Sequence, residues 1–479
     1  MNQTKENKRM MSKKLLVSVI AVLTLLVCCA GCAKKTPREA LDEAIEKTFS
    51  VTPEEELLGL EELNKAVAEN TAYTSGVSLT LEDLSGASVE EYASLVEGIG
   101  FSVDSATDMK NQKADTSVGI SYGGTTYLNL NTQFNASKFY LMVPQLLHGS
   151  ISVDFDTMLD DMASNELFSE ALSMVDTSML EGFDFWELME EASALEFTLP
   201  EEVTEAGEEL DAAIEVVEVK VDEADLPSDI SAKKAYVMTI PQDAYEAYLI
   251  EVTNAFLAEI EESLQDETFQ ELGGTYSLPD EEEIKTVMED IADTIGDLEL
   301  TFAVTKKGYV SYIATEIEIE EASVEFAATF AGEKSPLEEI VAELSATVDD
   351  ETVAIDFAQS FDAETKIFTY DIDLNAMDEF SAEIKAEGEY KDIEKGKKYT
   401  CDLNYIEFDC SEDISFTLSG SSYLDTTSCE INAPEGTEYE LFKMSQDDFM
   451  TLIEEVTTNM QNDPLFSEIL DLLGVELPE

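Results

Sequence analysis

Hydrolytic chemistry needs a nucleophile and a base, and His148 is the single histidine of the 479-residue chain. Gly119-Ile120-Ser121-Tyr122-Gly123 fits the G-x-S-x-G spacing of a nucleophile elbow. That device needs a strand turning into a helix, with an acid and then a histidine later in the chain. Ser121 lies instead in a run of alternating apolar and polar residues ending at Gly123-Gly124, and no Asp or Glu separates it from His148. Ser231-Ala232-Lys233-Lys234 has S-x-x-K spacing, but it precedes a strand pattern rather than opening a helix, and no K-T-G follows. It reads as a turn. Paired carboxylates could hydrolyse glycosides at a set separation. With 105 Asp and Glu in the chain, every spacing occurs by chance. No catalytic residue is assigned, and the chain is read as non-enzymatic.

Metal and cofactor chemistry has as little support. Cys401, Cys410 and Cys429 form no C-x-x-C pair, and the chain has no D-x-[DN]-x-[DN]-G loop and no phosphate-cradling G-x-x-x-x-G-K-[ST], so neither a cofactor nor a dedicated metal site is expected. Loosely bound divalent cations on an acidic surface are expected instead. Cys401, Cys410 and Cys429 sit in strand-like sequence, and three thiols allow three alternative single bridges. The expectation is buried or partly exposed thiols with at most one disulfide. Trp186, beside Phe183 and Phe185, reads as core.

The N-terminus is more specific. Lys5, Lys8, Arg9, Lys13 and Lys14 precede an apolar run from Leu15 to about Val27, the n-region and h-region of a secretory signal. The run is short for a span of roughly 20 apolar residues, and it ends in Cys29-Ala30-Gly31-Cys32. Small residues before a cysteine resemble the lipobox of bacterial lipoprotein precursors, although Cys29 stands where that family usually has Leu, Val or Ile. The resemblance implies that Cys32 takes a diacylglycerol (the lipid attachment site), that residues 1–31 are removed, and that the remainder is held at the extracytoplasmic face of the cell membrane.

The formal charge is −78 at pH 7, and residues 1–31 carry five bases and one acid, Glu6. From Cys32 onward the charge is therefore −82. Such a surface repels phosphate backbones and offers few cationic groups with which to release counterions, which excludes nucleic acid as a partner. A hydrophobic fraction of 44% with 9% aromatics is nonetheless enough to build cores.

Thr36-Pro37-Arg38-Glu39 and Thr52-Pro53-Glu54-Glu55 are helix starts, with a capping hydroxyl and proline at the first helical position. The first helix places Leu41, Ile45 and Phe49 on one face, and the second Leu57, Leu60, Leu63 and Val67. Period-two runs then predict antiparallel meanders, the first turning at Gly123-Gly124 and at Asn135-Ala136-Ser137. Two strands lead straight into closing helices. One carries Tyr245, Tyr248, Leu249, Val252, Phe256 and Ile260, the other Phe449, Leu452, Ile453 and Val456, with Tyr245 aligned over Phe449. Phe155–Asn165 also echoes Phe449–Asn459. The expected fold is α+β, antiparallel β-meanders packed against amphipathic helices in two related halves. The expected domains are a signal peptide (1–31), an anchor and linker with a short helix (32–52), a first α+β domain (53–272) and a second (275–479).

This architecture loosely resembles the carrier fold of LolA- and LppX-type lipid-handling lipoproteins, on architecture and lipobox alone. Three roles follow, in order: a binding or interaction protein whose partner is a cell-envelope protein or an apolar ligand; a carrier of a lipid or other apolar ligand; an extracytoplasmic hydrolase. A carrier needs an apolar cavity between sheet and helix. An interaction protein shows filled cores and an exposed patch. An enzyme needs a cleft with shifted pKa values.

Overall fold

The computed structural model describes residues 36–462, except 69–71, 88, 90–92, 94–95, 170–183, 188, 190–199, 225, 266–280, 320–321, 349–350, 377–379 and 412–413. It is an α+β protein whose strands pair mostly antiparallel and pack against several helices. Among the described residues, no helix is long and apolar enough to cross a membrane.

Two compact units share the chain. Met1–Pro53, Glu196–Asp362 and Thr369–Glu383 make the first, and Glu54–Leu195, Ala363–Phe368 and Ile384–Glu479 the second. Each unit therefore draws on both of the sequence segments 53–272 and 275–479.

In the first unit, helix α1 (Pro37–Phe49) begins with the capping box expected of its sequence: Glu39 N donates to Thr36 Oγ1, and Thr36 N donates back to Glu39. Its buried face of Leu41, Ala44 and Ile45 meets a sheet ordered β7 (Glu215–Val219), β8 (Lys234–Ile240), β9 (Leu298–Val304), β10 (Val310–Ile319), β11 (Ala322–Ala331), β12 (Glu339–Val348) and β13 (Glu351–Asp362). Helices α5 (Glu201–Ala213), α6 (Gln242–Gln265) and α7 (Glu281–Ile295) add Leu210, Tyr245, Leu249, Met288 and Ile291 to one continuous core with Tyr236, Met238, Leu300 and Phe302. Each fully buried Leu or Phe side chain contributes roughly 1.5–3 kcal/mol over its exposed state. Thr48, wholly buried at the end of α1, bonds twice: its hydroxyl donates to Ala44 O and accepts from Val310 N at 2.8 Å.

The second unit contains α2 (Pro53–Leu58), α3 (Leu60–Ala68) and α4 (Met158–Ser164), and the run predicted as one helix is broken between α2 and α3. Gly59 takes φ +67° there, and a Cβ would meet Gly396 N at 2.7 Å, so the chain turns where only glycine fits. The sheet runs β16 (Lys398–Cys410), β17 (Ile414–Asp425), β1 (Tyr73–Ser85), β2 (Ile99–Asp108), β3 (Lys113–Tyr122), β4 (Thr125–Asn135), β5 (Lys138–Met142), β6 (Gly149–Asp154) and β18 (Thr437–Glu440). Strands β6 and β18 pair in parallel. Gly123 and Gly124, both at positive φ, close the β3–β4 hairpin as predicted. Strands β14 (Ile367–Ala376) and β15 (Phe380–Glu394) contribute residues to both units.

The closing helices depart from their alignment. Strand β8 passes into α6 after one residue, and Tyr245 is wholly buried. Between β18 and α8 (Gln446–Asn462) stands a further 3-10 turn at Leu441–Lys443, and Phe449 keeps 36% exposure. Leu452, not Phe449, anchors α8, in a small cluster with Leu147 and Met444. Ile453 is exposed for the same reason, and in α6 Phe256 is exposed at 62% where the helical pattern placed it inward. Ile260 falls outside the described side chains.

Candidate functional site

Cys32 and Phe183 lie outside the described residues. Ser121 is the penultimate residue of β3 and is followed by the hairpin, while His148 sits exposed in the loop before β6, its backbone N donating to Glu455 Oε1 at 2.8 Å. Ser231 and Lys233 belong to the turn before β8, where Lys233 N donates to Val304 O. Trp186 is buried and donates from Nε1 to Ala136 O, while Phe185 stacks on Phe134 at 3.8 Å between ring centres. Cys401 and Cys410 are buried thiols of β16, and Cys429 is a half-buried thiol against Thr107 O.

The most distinctive surface is one face of the second unit's sheet. Register fixes it: Val77, Val103, Val118 and Leu130 form one cross-strand row over β1 to β4, and Leu79, Phe101, Ile120 and Leu128 form the next. Ile99 and Tyr122 begin a third row. Alternate residues share a face because the strand period is two, so all three rows point the same way. Such a face is ordinarily a core layer. Here Val77, Ile99, Phe101, Ile120, Tyr122 and Leu130 keep 38–49% exposure. From Tyr73 to Leu81, Ile99 to Thr107, Ala114 to Tyr122 and Leu128 to Phe134, the residues of this face include no Asp, Glu, Lys or Arg. At the chain average of 28% charged residues, more than one in four would be charged.

The opposite face is small and polar. Ser78 and Ser421 share a hydrogen bond at 3.0 Å, Ser117 donates to Asn131 Oδ1 at 2.8 Å, and Tyr423 donates to Asp104 Oδ1 at 3.0 Å. Burial first, and then that bond to a carboxylate, push the Tyr423 phenol up to about 12. Charge and solvation are thus segregated by face within the same strands.

A second grouping lies in the first unit. Asp371 and Asp373 are two residues apart on β14 and share a face, and with Glu383 of β15 their carboxylate oxygens lie within 4.8 Å of one another. Asp371 Oδ1 is buried without a hydrogen-bond partner. Three hard oxygen donors at such range suit a divalent cation of the calcium or magnesium kind. Sequence reasoning missed this group, although Asp-x-Asp within a period-two strand was the signal that both acids share a face.

Two open clefts of the second unit are polar. One of about 560 Å³ is lined by Lys366, Asp392, Lys398, Tyr399 and Tyr423 among others. Another of about 580 Å³ is lined by Asp108, Lys113, Cys429 and Asn432 among others. Neither has the apolar lining that an acyl chain needs.

No known family model matches the chain, and no curated protein matches it in sequence. Among solved structures, a triple mutant of Rh. blastica porin is 10% identical, over 74% of this chain and 98% of that one, with a TM-score of 0.12. A mutant of the vaccine antigen Transferrin Binding Protein B from Haemophilus parasuis Hp5 is 9% identical, over 74% and 76%, with a TM-score of 0.10. Scores of that size carry no argument about fold or function.

Proposed function

We propose that this chain is a lipoprotein, acylated at Cys32 and held at the extracytoplasmic face of the cell membrane, with a non-enzymatic interaction role. The anchor rests on the basic and apolar segments before Cys29-Ala30-Gly31-Cys32. The interaction role rests on a single observation, the exposed and uncharged apolar face of β1 to β4 in a strongly acidic chain. Large contiguous apolar patches on soluble surfaces mark sites of association. The polar lining of two of the second unit's clefts supports this reading over a carrier. The reading of two related halves rests on the sequence echoes and on the shared order of strand then closing helix.

The anchor is tested by Cys32→Ala. One acyl chain binds a membrane marginally, whereas two hold firmly, so the variant is exported but released from the membrane fraction. Equal retention of variant and wild type in the membrane pellet overturns the lipoprotein reading.

A further inference from the structure

We infer that the apolar face of β1–β4 is covered, until a partner engages it, by residues 465–473 of the same chain, a regulation of the interaction face that rests on the role proposed above. The argument begins with what already closes the borders of that layer. In register the face continues from β4 onto β5 and β6 through Leu141 and Ile151, and Ile151 is the partner of Tyr439 on β18. Ile151 and Tyr439 pack with Leu452 of α8. At another border, Phe134 of the same face is covered by the stacked ring of Phe185. Beyond β1 the layer runs on to Gly420 and Leu418 of β17 and Leu403 and Ile406 of β16, with no charge among them. Two borders are thus closed by the chain itself, while the middle, with Val77, Phe101, Ile120 and Leu130, stays half-exposed.

Helix α8 leads to that middle. Its Glu455 Oε1 accepts from His148 N, and one turn later Asn459 Nδ2 donates to Leu146 O at 2.9 Å. The loop it follows is held against β4, because Gln145 Oε1 accepts from the backbone N of Asn129, the residue between Leu128 and Leu130 of the face, at 3.0 Å. The helix therefore ends, at Asn462, beside the β4 border of the uncovered rows. Residues 463–479 lie outside the described residues, and their sequence supplies what the face lacks. Asp463-Pro464 is a helix start, a capping carboxylate with proline at the first helical position. At about 100° per residue, Leu465, Phe466, Ile469, Leu470, Leu472 and Leu473 fall on an arc of about 160°, with Ser467, Glu468 and Asp471 on the other side. Such a stripe is stable as a helix only against an apolar surface. Nine helical residues rise about 14 Å, and the three strand spacings from β4 to β1 also make about 14 Å. A segment tethered at the border of the face is present there at roughly millimolar effective concentration, which any free molecule of equal apolar character has to overcome.

The test uses the full mature chain, residues 32–479, carrying Cys32→Ala so that acyl chains do not aggregate it. A photo-cross-linking p-benzoylphenylalanine replaces Leu472, and isotopically labelled and unlabelled chains are mixed so that mass spectrometry separates links within a chain from links between chains. Links within one chain to peptides of β1–β4 are expected. Links only between chains, or only to peptides elsewhere, overturn the inference. The neutral apolar dye Nile red then measures access to the face. Leu472→Glu and Ile469→Glu each tighten dye binding about tenfold, the ratio expected if the segment covers the face about nine-tenths of the time. Phe101→Glu, at a half-exposed site that tolerates a polar side chain, removes that gain, and Val217→Glu, at an exposed apolar position of the first unit, does not. Circular dichroism unchanged in each variant shows that the fold is kept. Dye binding that needs Phe101 but ignores Leu472→Glu overturns the cover and leaves the interaction role standing. Dye binding indifferent to Phe101→Glu in both backgrounds overturns the interaction role, and the regulation with it.

Discussion

The Tyr423 hydroxyl on β17 donates to Asp104 Oδ1 on β2 across the intervening strand β1, where Gly76 is the residue in register with both. A Cβ at Gly76 would run into the Tyr423 ring and the Asp104 carboxylate, so the bond exists because the strand between presents no side chain. Burial first, and then this bond, hold the phenol protonated up to about 12, above its ordinary 10.0. A group whose folded pKa is raised stabilises the fold fully below its unfolded pKa and loses that contribution as pH rises through the folded value. Stability should therefore fall between about pH 10 and pH 12, and Tyr423→Phe should flatten that part of the profile. Gly76→Ala should bring the Tyr423 titration back toward 10.0 in tyrosinate absorbance. An unchanged titration would show that the bond does not hold the proton.

Thr48 gives a second prediction. Its hydroxyl is the acceptor for the buried Val310 N–H, tying α1 to β10. Thr48→Val preserves volume but orphans that donor, and a buried unsatisfied group costs about 1–3 kcal/mol. Denaturant melts measure the loss. A neutral substitution would mean that the N–H finds another partner.

The aligned aromatics should respond unequally. Tyr245 is wholly buried and donates to Gly296 O at 2.8 Å, whereas Phe449 is at the exposed edge of α8. Tyr245→Ala should cost about 3–5 kcal/mol, in line with buried aromatic truncations. Phe449→Ala should cost about 1 kcal/mol or less, as surface changes do. Equal losses would support the equivalence of the two helices.

Carboxylate crowding can be measured directly. Asp371, Asp373 and Glu383 repel at the range observed, and the buried Asp371 Oδ1 has no donor to offset it. Melting temperature should rise as salt increases from about 0.01 M to 0.1 M. Millimolar calcium should raise it further than monovalent salt of equal ionic strength. Asp371→Asn should raise the melting temperature without calcium and remove most of the calcium-specific gain. A calcium response identical in the variant and wild type would place any cation elsewhere on the acidic surface.

Local chemistry was legible in the sequence wherever a short window contains its own cause. The Thr36–Glu39 capping box, the Gly123-Gly124 hairpin and the alternation of β3 are satisfied by neighbours within a few residues, so composition and spacing suffice. Even Gly59, which broke a predicted helix, announced itself as a glycine; the close approach of Gly396 that makes it turn there lies more than three hundred residues away. Tertiary structure decided what the alternation was for. A period-two pattern says that Val77, Phe101 and Ile120 share a face, but not whether anything covers it, since burial depends on what packs from outside the strand. The same limit separates Tyr245 from Phe449, alike in helical spacing and unlike in what lies against them. It also hid the meeting of Asp371 and Asp373 with Glu383, because a sheet joins residues by register, and register is fixed by the fold of the whole strand rather than by any one residue.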